Sequence, residues 1–98
     1  MRTESRYLVS GILVFYIKEN NLKHSRLGLA ISKKLGNAIK RNKTKRKLRE
    51  VFRSSEIKNL NIDILVSLNF RKIQKEKLDF DSVTNLLEES FLKAPLLK

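Results

Sequence analysis

Ten cations, Lys33, Lys34, Lys40, Arg41, Lys43, Lys45, Arg46, Lys47, Arg49 and Arg53, fall between positions 33 and 53, where Glu50 is the only anion. Nine of the chain's twelve net positive charges therefore sit in 21 residues, and the other 77 carry three. Clustered cations displace condensed counterions from nucleic acid and gain affinity from their release, so the pattern points to a polyanionic partner. An anionic membrane surface is the competing class. Charge runs on solvated faces normally mix both signs, and here one sign dominates, which favours nucleic acid. Within the run Arg41, Arg46, Arg49 and Arg53 offer a planar fork suited to bidentate phosphate contact. The lysines act as point charges, and Asn42 can donate and accept at a base edge or a 2′-hydroxyl.

Groups for catalysis are scarce by comparison. His24 is the only imidazole and lies in a polar stretch beside Lys23, Ser25 and Arg26, where it reads first as a surface residue, ahead of a phosphate contact or a base. Glu88 and Glu89 are adjacent on a predicted helix and point about 100° apart, which suits a solvated face rather than paired acid–base work. There is no cysteine, which excludes disulfides, thiolate metal sites and thiol catalysis. No phosphate-cradling glycine loop, dinucleotide glycine pattern or nucleophile elbow is present. No catalytic residue and no metal site is expected in this chain, and any catalysis it serves is expected to use groups elsewhere.

The aromatic residues divide by position. Phe52, Phe80 and Phe91 read as core. Leu13, Phe15 and Ile17 share one face of a strand, with Val14 and Tyr16 on the other. Two readings stay open for Phe15, a core ring or a ring stacking on a base of a single strand.

These residues need elements to position them. The apolar stretch 7–18 predicts a strand, with Gly11 as a bulge or bend. Asn20 and Asn21 suit a turn. A second strand is expected over 26–34, with Gly28, Ala30 and Ser32 making a face of small residues on which something can lie. Gly36 and Asn37 read as a loop ending in a helix N-cap, followed by a helix over 38–54. Thr44, Leu48, Val51 and Phe52 form its packing stripe, while Asn42, Arg46, Arg49 and Arg53 run along nearly the opposite side. Seven cations between Lys40 and Arg49 repel one another, so packing and bound anions must offset that cost. Alternation over 61–68 is the clearest strand, Arg71 to Lys77 reads as a basic connector, and a last helix spans 80–93, capped by Asp79 and closed by Pro95. The order is β, β, α, β, α, an α+β domain.

With 98 residues and 41% hydrophobic content, the chain fits one domain with a modest core. The longest apolar run, Gly11 to Ile17, is far short of a membrane span. The start, with Arg2, Glu4 and Arg6, has no secretory pattern, so a cytoplasmic protein without a membrane partner is expected.

The stretch from Leu29 to Phe52 resembles the signature of the bacterial ribonuclease P protein subunit. Ser32, Lys34, Gly36 and Ala38 match a Ser-x-Lys-x-Gly-x-Ala run; Arg41, Asn42, Lys45, Arg46 and Arg49 match the basic helix motif that follows it. Lys43 departs from the family's Arg-Asn-Arg motif, keeping charge and losing the planar fork. Family members usually begin with a basic segment and a helix before the first strand, and that N-terminal helix is absent from the pattern here.

The resemblance implies a small single-domain sandwich of a mixed sheet, with the basic helix in a left-handed βαβ crossover and a C-terminal helix. It implies an accessory subunit of an endoribonuclease whose RNA subunit performs Mg²⁺-dependent removal of the 5′ leader from precursor tRNA. The protein itself would bind no cofactor and need no obligate protein partner. Arg41, Asn42, Lys43, Lys45, Arg46, Arg49 and Arg53 would face the RNA subunit, and Phe15, Ala30, Ser32 and Lys34 the leader. A ribosomal or general RNA-binding protein without leader dependence is the alternative. A duplex-DNA binder using the basic helix and a stand-alone nuclease are more distant ones.

Overall fold

In a computed structural model, the structure describes residues 5–94. The stretch expected as one strand is a hairpin of β1 (Ser5–Ser10) and β2 (Leu13–Glu19). Gly11 sits at φ +55° and, with Ile12, makes the two-residue reversal between paired Ser10 and Leu13. Positive φ at the first central residue alone is the habit of a type II′ turn, whose twist matches the flanking strands. Gly11 is thus a turn, not a bulge. The hairpin turn is also a docking point. A Cβ on Gly11 would lie 2.2 Å from Ser90 Oγ. That Oγ accepts from Ile12 N at 3.1 Å, while Ser10 Oγ donates to Ser90 O at 2.7 Å.

The next strand, β3 (Arg26–Ala30), is shorter than the expected 26–34. Ser32 ends it locally by capping a 3₁₀ turn at Lys33–Leu35, accepting from Lys34 N at 3.1 Å. Helix α1 (Ala38–Ser54) keeps its expected bounds, with Asn37 Oδ1 accepting from Lys40 N at 3.0 Å. After a 3₁₀ turn at Glu56–Asn59 comes β4 (Ile62–Leu68), entered through Asn61 at φ +59°. The stretch expected as a basic connector forms a short helix, α2 (Phe70–Lys75), capped by Asn69. Helix α3 (Phe80–Lys93) starts at the cap Asp79, which accepts from Ser82 N at 2.8 Å. Pro95, expected to close it, lies outside the described residues.

The four strands form one mixed sheet in the order β1-β2-β4-β3. β4 runs antiparallel to β2 and parallel to β3, and α1 makes the crossover between the parallel pair. One sheet face carries Phe15, Ile17, Ile64 and Val66 into a single core with Leu48 and Val51 of α1 and Val83, Leu87 and Phe91 of α3. The rings of Phe15 and Phe91 meet edge to face at 5.5 Å. Fully burying each such side chain contributes about 1.5–3 kcal/mol, so this two-layer arrangement carries the fold. None of the helices among the described residues is long and apolar enough to cross a membrane.

Candidate nucleic-acid interface

Burial of Thr44, Leu48 and Val51 fixes how α1 is rotated on the sheet. That rotation leaves Asn42, Lys43, Arg46, Arg49 and Arg53 exposed, with Arg41 and Lys45 half-buried. The expected ridge is therefore one surface. Among the described residues none of Arg41, Lys43, Lys45, Arg46, Arg49 and Arg53 forms an ion pair. Two other cations of the helix make contacts within the protein. Lys47 pairs with Glu88 of α3 at 3.3 Å, and the Lys40 ammonium sits 5.5 Å from the Phe80 ring centroid, a cation–π distance. The Nε of Arg41 is buried without a hydrogen-bond partner among the described residues.

The sheet face away from the helices exposes Tyr7, Val9, Tyr16, Leu65 and Ala30, with Val14 buried among them. Strand register sets two rungs across it: Tyr7, Tyr16, Leu65 and Gly28, then Val9, Val14, Ser67 and Ala30. Tyr7 and Tyr16 are 62% and 45% exposed, and their rings lie 5.1 Å apart at 61°. A groove of about 400 Å³ runs over Tyr16, Gly28 and Leu65 to a charged end made by Lys18, Asp63 and Arg26. There Arg26 grips Asp63 with Nε to Oδ1 at 2.8 Å and Nη2 to Oδ2 at 2.6 Å, and Asn20 Nδ2 donates to Oδ1 at 2.9 Å. The Arg26 bonds, then that of Asn20, hold the Asp63 carboxyl at about 2, well below the usual carboxylate range.

The residues expected on the leader face separate. Ala30 lies exposed on the open face, and Ser32 and Lys34 are exposed just beyond it, on the turn leading to α1. Phe15 is a correction: it is 0% exposed, its ring closed against Phe91, so it offers no face to a base. The sequence showed that Phe15 and Tyr16 point opposite ways, but not which face the helices cover. Tyr7, Tyr16, Gly28 and Leu65 were missed as a site for the same reason. Their only advance signals were the parity of Tyr16 and the small-residue face of β3. His24 is exposed in the loop after β2, and its carbonyl accepts from Asn20. No cluster of metal-binding side chains occurs among the described residues.

Fold and surface together define a small basic α+β domain that carries a cation-lined helix and an open aromatic sheet face. Comparison with known proteins narrows this. The profile of the family described as Ribonuclease P matches residues 1–94. The Ribonuclease P protein component of Thermoanaerobacter sp. (strain X514) is 30% identical over 97 residues, spanning 96% of this chain and 79% of the relative. That of Streptococcus agalactiae serotype III (strain NEM316) is 35% identical over 81 residues, spanning 76% and 74%. Among solved structures, the Staphylococcus aureus RNase P protein superposes with a TM-score of 0.70 at 34% identity, over 90% of this chain and 75% of that one. The Thermotoga maritima RNase P protein gives 0.62 at 32% identity, over 88% and 84%. The chain belongs to the ribonuclease P protein family.

Proposed function

We propose that this chain acts as the protein subunit of ribonuclease P. In that reading α1 docks on the catalytic RNA subunit, and the open sheet face holds the 5′ leader of precursor tRNA during Mg²⁺-dependent 5′ maturation. The observation that carries it is the presence, on one small domain, of two polyanion-compatible surfaces of different character. Arg41, Asn42, Lys43, Lys45, Arg46, Arg49 and Arg53 present a dense cation ridge, which suits the closely spaced phosphates of a folded RNA. The Tyr7 and Tyr16 rings, with Leu65 and Gly28 beside them on the same rung, present a platform for unpaired bases of any sequence. Ala30, Ser32 and Lys34 bridge the two, because the strand end and turn that carry them lead to the α1 cap Asn37.

The protein's own part is binding and positioning. Its cations neutralise phosphate repulsion between the RNA subunit and the substrate, and its platform adds affinity that only a leader-bearing tRNA can use. Mg²⁺ belongs to the RNA-catalysed hydrolysis, and no step is assigned to a side chain of this protein.

The decisive measurement is cleavage of a precursor tRNA by a bacterial ribonuclease P RNA at low Mg²⁺, with and without this chain, beside a chain-only control. Stimulation only when both are present, with tighter binding of precursor than of mature tRNA, is the expected result. Equal affinity for tRNA with and without a leader would move the protein to the general RNA-binding class.

A further inference from the structure

A second, smaller cavity lies beside the start of the cation ridge, where the turn at Lys33–Leu35 meets α2 and the start of α3. It has a volume of about 130 Å³, with Leu35, Ile73, Leu78 and Val83 among its lining and the half-buried rings of Phe70 and Phe80 at its sides. Its rim is polar, and the rim groups differ in what they can still bind. Asp79 is spent as the α3 cap. The Gln74 side chain is exposed and makes no hydrogen bond among the described residues, so its amide keeps both a donor and an acceptor. Lys34 lines the cavity, and the Lys40 ammonium stands over Phe80.

From this we infer that the cavity is a receptor for one unstacked pyrimidine of the RNA that lies along α1. Size argues for the ring: a volume of about 130 Å³ is close to the roughly 150 Å³ of an apolar cavity that takes up benzene, which matches one six-membered base better than a fused purine. Polarity argues for a base rather than an apolar side chain. One amide at the rim can donate to a pyrimidine carbonyl or ring nitrogen and accept from its neighbouring N–H, a pairing open to uracil and cytosine alike. Charge argues for a nucleotide, because Lys34 lines the cavity and Lys40, at its Phe80 wall, begins the cation run of α1, so the surroundings favour an anionic substituent on the base. Aromatic walls favour a ring with a π face. The choice of RNA as the source rests on the function proposed above, and the chemistry of the cavity does not.

Two measurements decide it. In the first, CMP, UMP, AMP and ribose 5-phosphate are titrated into the protein while the methyl resonances of Leu35, Ile73, Leu78 and Val83 are followed by NMR. The pyrimidine nucleotides are expected to move these methyls, and AMP and ribose 5-phosphate to leave them in place. Equal responses to all four would reduce the site to phosphate contacts at the lysines and overturn the inference. In the second, Gln74→Ala is compared with the unaltered protein for binding to the ribonuclease P RNA across a salt series, with thermal unfolding of both as a control. Loss of one hydrogen-bonding group predicts affinity about three- to tenfold weaker at every salt concentration, an unchanged salt slope and an unchanged Tm. Unchanged affinity would overturn the pocket as an RNA contact. Failure of the unaltered protein to bind that RNA would instead count against the proposed function, and the nucleotide titration would still decide the pocket.

Discussion

Phe15 and Tyr16 are neighbours on β2, yet the sheet sends their rings to opposite sides, one closed against Phe91 and one 45% exposed. Their alanine variants should therefore fail in different assays. Phe15→Ala opens the core and is expected to cost about 3–5 kcal/mol of stability, read as a lower midpoint in urea. Tyr16→Ala should leave most of the stability in place and weaken leader-dependent tRNA binding by roughly 5- to 150-fold, the value of one base–aromatic stack of about 1–3 kcal/mol. A Tyr16→Ala protein with undiminished preference for leader-bearing tRNA would remove the platform role. Strand parity made the opposition of these two residues legible, and nothing local said which side two distant helices would cover. Asp63 behaves likewise: alternation placed it off the core face, but its partnership with Arg26 depends on a parallel pairing 37 residues apart in sequence. Since its folded carboxyl sits near 2 and an unfolded one near 4, its contribution to stability is full above about pH 4 and is lost as pH falls through about 2. Asp63→Asn should flatten that acid limb of the stability–pH curve while leaving its neutral region level.

Helix ends were the most readable elements, because a cap is a local bargain between one side chain and the free N–H groups of the first turn. Asn37 and Asp79 stand where the pattern put them, and α1 and α3 keep their expected bounds. The hairpin was harder to read, because an uninterrupted apolar stretch around a lone glycine fits a bulged strand as well as a reversal. What separates them is tertiary: the reversal packs on α3 and takes glycine because Ser90 occupies the space a side chain would need. Short α2 escaped notice because six residues rich in cations have neither the length nor the apolar period of a helix. Gly11→Ala tests the tertiary argument. It adds strain at positive φ and a Cβ only 2.2 Å from Ser90 Oγ, so a loss of about 1–3 kcal/mol is expected. Pairing it with Ser90→Gly should recover part of the loss. Equal cost in both backgrounds would show that the turn alone, and not its contact with α3, demands glycine.

Across the whole molecule, the strand order is the feature least present in the sequence. Inserting β4 between β2 and β3 is a long-range pairing that no window of local pattern encodes. Charge distribution, in contrast, is visible from the sequence and has a physical consequence that spans the molecule. A net charge of +12, with most of it in one stretch of chain, makes the free protein repel itself, and folding holds those charges closer together than the unfolded chain does. Added salt should therefore raise the Tm of the free protein while weakening its complex with RNA, two trends of opposite sign from one cause. Arg46→Ala combined with Arg49→Ala separates them, since both residues are exposed on the ridge and neither forms an ion pair among the described residues. The double variant should bind the ribonuclease P RNA more weakly, with a log–log salt slope flatter by about 2. Its Tm at low salt should match or slightly exceed that of the unaltered protein, because repulsion is relieved and no buried contact is lost. A marked fall in Tm would mean that this face of α1 supports the fold, and an unchanged salt slope would mean that the RNA approaches from another side.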